Sequence, residues 1–288
     1  MTMEIIFNLI QTAVLILVLI GTLRLLGAEE REARIVLFGF AITSVLLSNL
    51  YWLAYDILRP GTRMPFAANE IGEWALFLLL GAAIHTRSDF PSARRETFFA
   101  ALFTAANAAL WIAWSGEWIQ DILTGAAFGY FLCSLAARII REELFPKWEW
   151  RFLGISCLVL IAAQTAIFFV PEPVKRPLDL FCYCLLFAVA ADRLIRAFRS
   201  LGNSALPSSA VPETFAAYAW TTITMYMGSG WFYIAALLLV TLCFPMMLLA
   251  LRKDLYRRCR GCLRCSCSGL GFCGVLRLTA AGSRQQAQ

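Results

Sequence analysis

The sequence predicts an all-α fold: a polytopic transmembrane helix bundle of eight spans, or nine if one short apolar segment also crosses. Three observations carry this. Of 288 residues, 60% are hydrophobic and 15% charged, against about 25% charged in an ordinary soluble domain. The mean hydropathy is +0.69. Apolar runs recur from Ile5 to Leu251 with short polar connectors, and one crossing takes roughly 20 apolar residues. A soluble globular protein is excluded, and no polar stretch before Arg252 is long enough for a soluble catalytic or nucleic-acid-binding domain.

The spans follow from the charged breaks. Ile5–Leu26 comes first; the residues before it lack the basic region and cleavage site of a secretory signal, so it is expected to stay as an anchor. Ile35–Tyr55, Phe66–Ile84, Phe98–Trp114, Ile119–Ile140, Phe152–Val170, Leu178–Ile195 and Trp231–Leu251 complete the eight. Phe215–Met227 is apolar too, but thirteen residues reach only about 20 Å as a helix, against a hydrocarbon core of roughly 30 Å. Residues 1–251 form the bundle, and 252–288 read as a basic, Cys-rich, disordered tail.

Positive charge orients the bundle, because cytoplasmic connectors hold more Lys and Arg. With the amino terminus outside the cell membrane, thirteen cations from Arg24 to Arg199 fall inside and four (Arg59, Arg63, Lys175, Arg176) outside. Eight spans would leave the basic tail outside. A ninth pass through Phe215–Met227, turning at Gly228-Ser-Gly230, returns it inside. The net charge of +6 then reads as orientation bias and not as a nucleic-acid surface.

The outer layer holds eight carboxylates, Glu4, Asp56, Glu70, Glu73, Glu117, Asp121, Glu172 and Asp179, against four cations. Ionisable groups at span ends tend to face a cavity or a partner. The densest region is Tyr51–Glu73. Ser44, Ser48, Tyr51 and Tyr55 repeat at spacings of four, three and four, which is one helix face. Asn69, Glu70 and Glu73 share a face of the next helix. Pro60-Gly61 makes the turn, and Asp56, Arg59 and Arg63 bracket it. One reading is a site for a small molecule or ion, with the carboxylates supplying charge and the tyrosines ring faces for a cation. The other is a structural ion-pair network. Thr97, Thr104, Asn107, Trp111, Trp114 and Trp118 form a further stripe that could line the same cavity or anchor at the headgroups.

Other residues read as packing. Gly125 and Gly129 are a small-xxx-small pair that admits another helix, in this chain or a second copy. His85 is the only histidine and cannot by itself make a multi-histidine metal site. Gln164 bridges helices, and Asp192 has Arg193 and Arg196 near it for neutralisation. Pro245 is a kink or a hinge. Phe128–Arg138 resembles Phe181–Arg193 in its aromatic, alanine and arginine positions, either as a repeat or because alanine-rich helices ending in arginine look alike. Cys259–Cys273 could hold zinc, carry palmitoyl groups, or be a frameshifted ending.

No nucleotide-binding loop, metalloprotease helix or nucleophile with a basic partner is present. The expectation is a bilayer protein without cofactor or metal. It binds a small ligand at Tyr51, Tyr55, Asp56, Arg59, Arg63, Asn69, Glu70, Glu73, Asn107 and Trp111 as a transporter or as a sensor, and less plausibly as a lipid enzyme.

Overall fold

A computed structural model describes residues 3–28, 32–59, 68–86, 97–99, 101–106, 118–167, 169–202 and 210–266. Among them the chain is all-helical, with nine helices and no strand: α1 (Met3–Ala28), α2 (Ala33–Leu58), α3 (Ala68–His85), α4 (Thr97–Ala106), α5 (Trp118–Arg141), α6 (Lys147–Ile167), α7 (Glu172–Gly202), α8 (Ala210–Met227) and α9 (Trp231–Ser266).

Direction follows from which residues meet. Asn49 of α2 bonds to Asn8 of α1, and a Cβ on Gly39 would touch Thr22, so the numbers rise on one helix as they fall on the other. Gly72 of α3 faces Ser48 and Ser44 of α2 in the same antiparallel sense. By contrast Trp74–Thr124 and His85–Ser134 keep a constant offset, so α3 and α5 are parallel. Tyr218–Phe244 and Thr221–Cys243 make α8 and α9 an antiparallel hairpin closed by Gly228-Ser-Gly230. Gly230 takes φ +55, a left-handed backbone that suits glycine. The bundle therefore has two ends, one where α1, α3 and α9 begin and one where they finish.

Among the described residues five helices are long and apolar enough to cross a membrane: Ile5–Gly27, Ala33–Leu58, Ile122–Arg141, Lys147–Ile167 and Trp231–Tyr256. That is fewer than the eight or nine spans expected from apolar runs. The difference has a physical cause. α3 begins with Asn69, Glu70 and Glu73, α7 carries Lys175, Arg176, Asp179, Asp192 and Arg193, and α8 carries Glu213 and four threonines. α8 is buried along nearly its whole length, Ala210 to Thr224, between α7 and α9, so lipid never selects its surface for apolarity. Large apolar side chains do project outward from the others, among them Leu17, Leu47, Ile155, Leu158 and Ile161, as a membrane location requires.

α8 is also longer than its apolar stretch. It starts at Ala210 because Pro212 and Glu213 fall in its first turn, where proline lacks only an N–H that would be unbonded anyway. Eighteen residues make it about 27 Å long. α9 runs past Arg252 to Ser266, so the basic segment begins as helix; residues 267–288 lie outside the described ones.

Glycines set the closest approaches. A Cβ on Gly21 would lie 2.7 Å from Leu248, one on Gly72 2.7 Å from Ser48 Cβ, and one on Gly81 2.5 Å from Tyr130. Gly125 and Gly129 are buried inside the chain, and Phe103 of α4 sits 2.8 Å from where a Gly129 Cβ would be. α5 uses that face to receive α4.

Candidate functional site

A cavity of about 160 Å³ opens at the end of the bundle where α1, α3 and α9 begin. Five helices wall it. On α9, Tyr233, Leu237, Val240 and Phe244 recur at spacings of four, three and four; on α8, Tyr218, Thr222, Met225 and Tyr226 do nearly the same. Each set is one helical face. α2 contributes Ser48, Asn49 and Trp52, α1 Asn8 and Gln11, and α3 Glu73, Leu76 and Phe77.

The walls are fixed by polar bonds with no apolar substitute. Asn49 Nδ2 donates to the Asn8 carbonyl at 3.1 Å and to Thr12 Oγ1 at 2.9 Å, and Thr12 Oγ1 donates to the same carbonyl at 2.7 Å. This pins α1 to α2. Gly72 lets α3 lie against Ser44 and Ser48 without a side chain between them, which brings Glu73 to the cavity edge. There Tyr226 Oη donates to Glu73 Oε2 at 2.8 Å, joining residues 153 apart in sequence.

Among the described residues Glu73 is the only formally charged side chain in the lining, with no lysine, arginine or histidine there. Around it are the rings of Trp52, Phe77, Tyr218, Tyr226, Tyr233 and Phe244, and the amides of Asn8, Gln11 and Asn49. Thr222 is 1% exposed. Its hydroxyl has no partner in full hydrogen-bond geometry, the Tyr218 phenol being the polar group that interacts with it. A buried hydroxyl of this kind is rare and asks for a ligand or a water.

Beneath the cavity lies an aromatic floor. Phe77 stands edge-on to Phe128 with centroids 4.9 Å apart, Phe131 meets Tyr218 at 5.9 Å and Phe215 at 6.3 Å, and Tyr218 meets Phe244 at 5.5 Å. These rings pack α3, α5, α8 and α9 together.

At that other end the helices are locked by charge. Arg34 of α2, buried, donates to Asp254 of α9 at 2.8 Å and to Glu32 at 2.5 Å. Lys253 donates to the carbonyls of Ser200 and Leu201 at 2.9 and 3.0 Å, capping the negative end of the α7 dipole. Neighbouring residues of α9 thus hold α2 and α7 at once.

Of the ten residues singled out from sequence, Glu73 lines the cavity. Tyr51 is 38% exposed, Tyr55 and Asp56 are half-buried, and Arg59 is exposed at the end of α2; none of these lines the cavity, nor does Glu70. The cavity-facing set of α2 is offset by one residue from the tyrosine stripe. α3 packs on Ser44 and Ser48, so the face turned to the cavity is Val45, Ser48, Asn49 and Trp52. Arg63, Asn107 and Trp111 lie outside the described residues, as does the side chain of Asn69. α4 does not line the cavity. His85 bonds Ser134 of α5 at 2.9 Å, and no group of three metal-ligating side chains occurs among the described residues.

The residues that sequence reading missed are Asn8, Gln11, Asn49, Trp52, Tyr218, Thr222, Tyr226 and Tyr233. One signal existed for α8: Tyr218, Thr221, Thr222, Thr224 and Tyr226 are dense for a segment otherwise apolar. No family model matches the chain, and neither a curated protein nor a solved structure matches it.

Proposed function

We propose that the protein is an integral membrane protein that binds a small organic cation in this cavity, with Glu73 as counter-ion, and carries it across the bilayer. The observation that supports it most is the lining itself: among the described residues, one carboxylate, six aromatic rings and no cation. A desolvated cation over such rings gains about 2 kcal/mol per well-placed ring. The volume sets the size, since a cavity of about 150 Å³ in a protein core holds benzene. The aromatic floor below and the Arg34–Asp254 and Lys253 locks at the far end suit a carrier open on one side and closed on the other.

In this reading the chain crosses nine times with its amino terminus outside, α8 being the eighth pass, and the cavity faces outward. The helix length of about 27 Å and the basic face of the opposite end agree with it. The test is uptake of tetramethylammonium into liposomes containing the purified protein. Uptake by the parent and its loss in Glu73→Gln are expected; equal uptake by both would refute the reading.

One observation favours a sensor instead. α9 is a continuous helix of 36 residues from the cavity wall to Ser266, about 54 Å long, and would carry a shift at Tyr233 to the opposite end. Tetramethylammonium binding without uptake would select this reading.

A further inference from the structure

The end of the bundle opposite the cavity holds a cluster that ligand binding does not use. Arg193 and Arg196 of α7 meet Glu149 of α6, Asp192 of α7 and Glu213 of α8. Arg193 Nη1 donates to Glu149 Oε2 at 3.0 Å and Nη2 to Asp192 Oδ2 at 2.7 Å. Arg196 Nη1 donates to Glu149 Oε1 at 2.5 Å and Nε to Asp192 Oδ2 at 2.9 Å. Glu149 and Asp192 are therefore each held by both guanidiniums.

Glu213 is not. Its Oε2 is buried and accepts no hydrogen bond, and Arg193 Nη1 stands 3.8 Å away. Two cations face three carboxylates, so the cluster has a formal charge of −1 with every group ionised. Arg193 and Glu149 are buried and Glu213 is 8% exposed. An uncompensated charge there is costly, and such a group neutralises instead. The carboxylate without a hydrogen bond is the one to take the proton.

The other charges near α8 do not change this. Lys253 and Asp254 of α9 are engaged with α7 and Arg34, and Arg138 of α5 donates to Glu142. A proton has a route in, because Asp192 and Arg196 keep about a third and a quarter of their side chains exposed.

We propose that Glu213 is a proton-binding site, which exchanges its proton with the aqueous phase at this end of the bundle. Glu213 stands ahead of the apolar part of α8, on the same helix that presents Thr222 and Tyr226 to the cavity. The inference stands whether or not the cavity takes a cation.

The experiment is an infrared pH titration of the full-length protein in lipid nanodiscs, read at the C=O stretch of a protonated carboxylic acid. The parent should show a band that titrates, and Glu213→Gln should lack it. Asp192→Asn leaves two carboxylates against two arginines, so the band should titrate at lower pH than in the parent. Identical spectra of parent and Glu213→Gln, or a midpoint unmoved by Asp192→Asn, would overturn the proposal. Should Glu213→Gln fail to fold, parent and Asp192→Asn labelled with ¹³C at glutamate carboxyls decide it: a glutamate band that moves supports the site, and none overturns it.

Discussion

Replacing Arg193 by methionine is the most informative single perturbation of the scaffold. Arg193 is fully buried in the middle of the α6–α7–α8 packing, bonds two carboxylates and lies over the Phe145 ring, 5.1 Å from its centroid. Methionine fills much of the same volume but removes the charge. Arg196, itself partly exposed, would then face Glu149, Asp192 and Glu213 alone. Breaking a buried pair by deleting one partner costs about 3–5 kcal/mol, so Arg193→Met should destabilise by that amount. A charge-free pair of similar volume is often neutral. Arg193→Met combined with Glu149→Met should therefore recover most of the loss, leaving Arg196 with Asp192. Equilibrium unfolding in mild detergent, followed by far-UV circular dichroism, measures both. A single variant within about 0.5 kcal/mol of the parent, the range of an ordinary surface change, would refute the argument that Arg193 ties these three helices.

Other outcomes follow from the same geometry. Gly72→Ala drives a methyl group against Ser48 and the Ser44 carbonyl and should cost about 1–3 kcal/mol. Gly154→Ala meets nothing within 4 Å and should be neutral or stabilise by about 0.5–1 kcal/mol. Asn49→Leu removes the interhelical bonds to Thr12 Oγ1 and the Asn8 carbonyl and should cost about 0.6–1.7 kcal/mol, the range for interhelical hydrogen bonds in membranes. Thermal unfolding of the three variants in one detergent checks all of these.

Helix existence was legible in the sequence because apolar runs and charged breaks are local signals. α8 shows where that stops. Its apolar part is short, and only its burial between α7 and α9 explains why Glu213 and four threonines sit in a core helix. The α2–α3 wall of the cavity could be read from Ser48 and Glu73, since period and charge mark them. Its other walls could not. Asn8 and Gln11 look like the polar end of an anchor until α9 returns beside α1, and Tyr226 gains meaning only from Glu73, 153 residues away. Asp192, Arg193 and Arg196 were recognisable as a local neutralising set, whereas Glu149 and Glu213 join them by tertiary packing alone. The tyrosine stripe lies beside the cavity lining: a helix turned by one residue presents Trp52 instead of Tyr51.

The internal likeness has a physical counterpart. Arg138 and Arg193 end equivalent stretches of two parallel helices and are both buried. The likeness does not extend to packing, because Phe128 is in the core and Phe181 is exposed.

The most direct measurement of the central claim is equilibrium binding of tetramethylammonium to the purified protein and to Glu73→Gln, with both unfolding at the same midpoint. If Glu73 is the counter-ion of a bound cation, the substitution should weaken binding at least tenfold, or about 1.4 kcal/mol. Equal affinity of parent and Glu73→Gln would contradict the account.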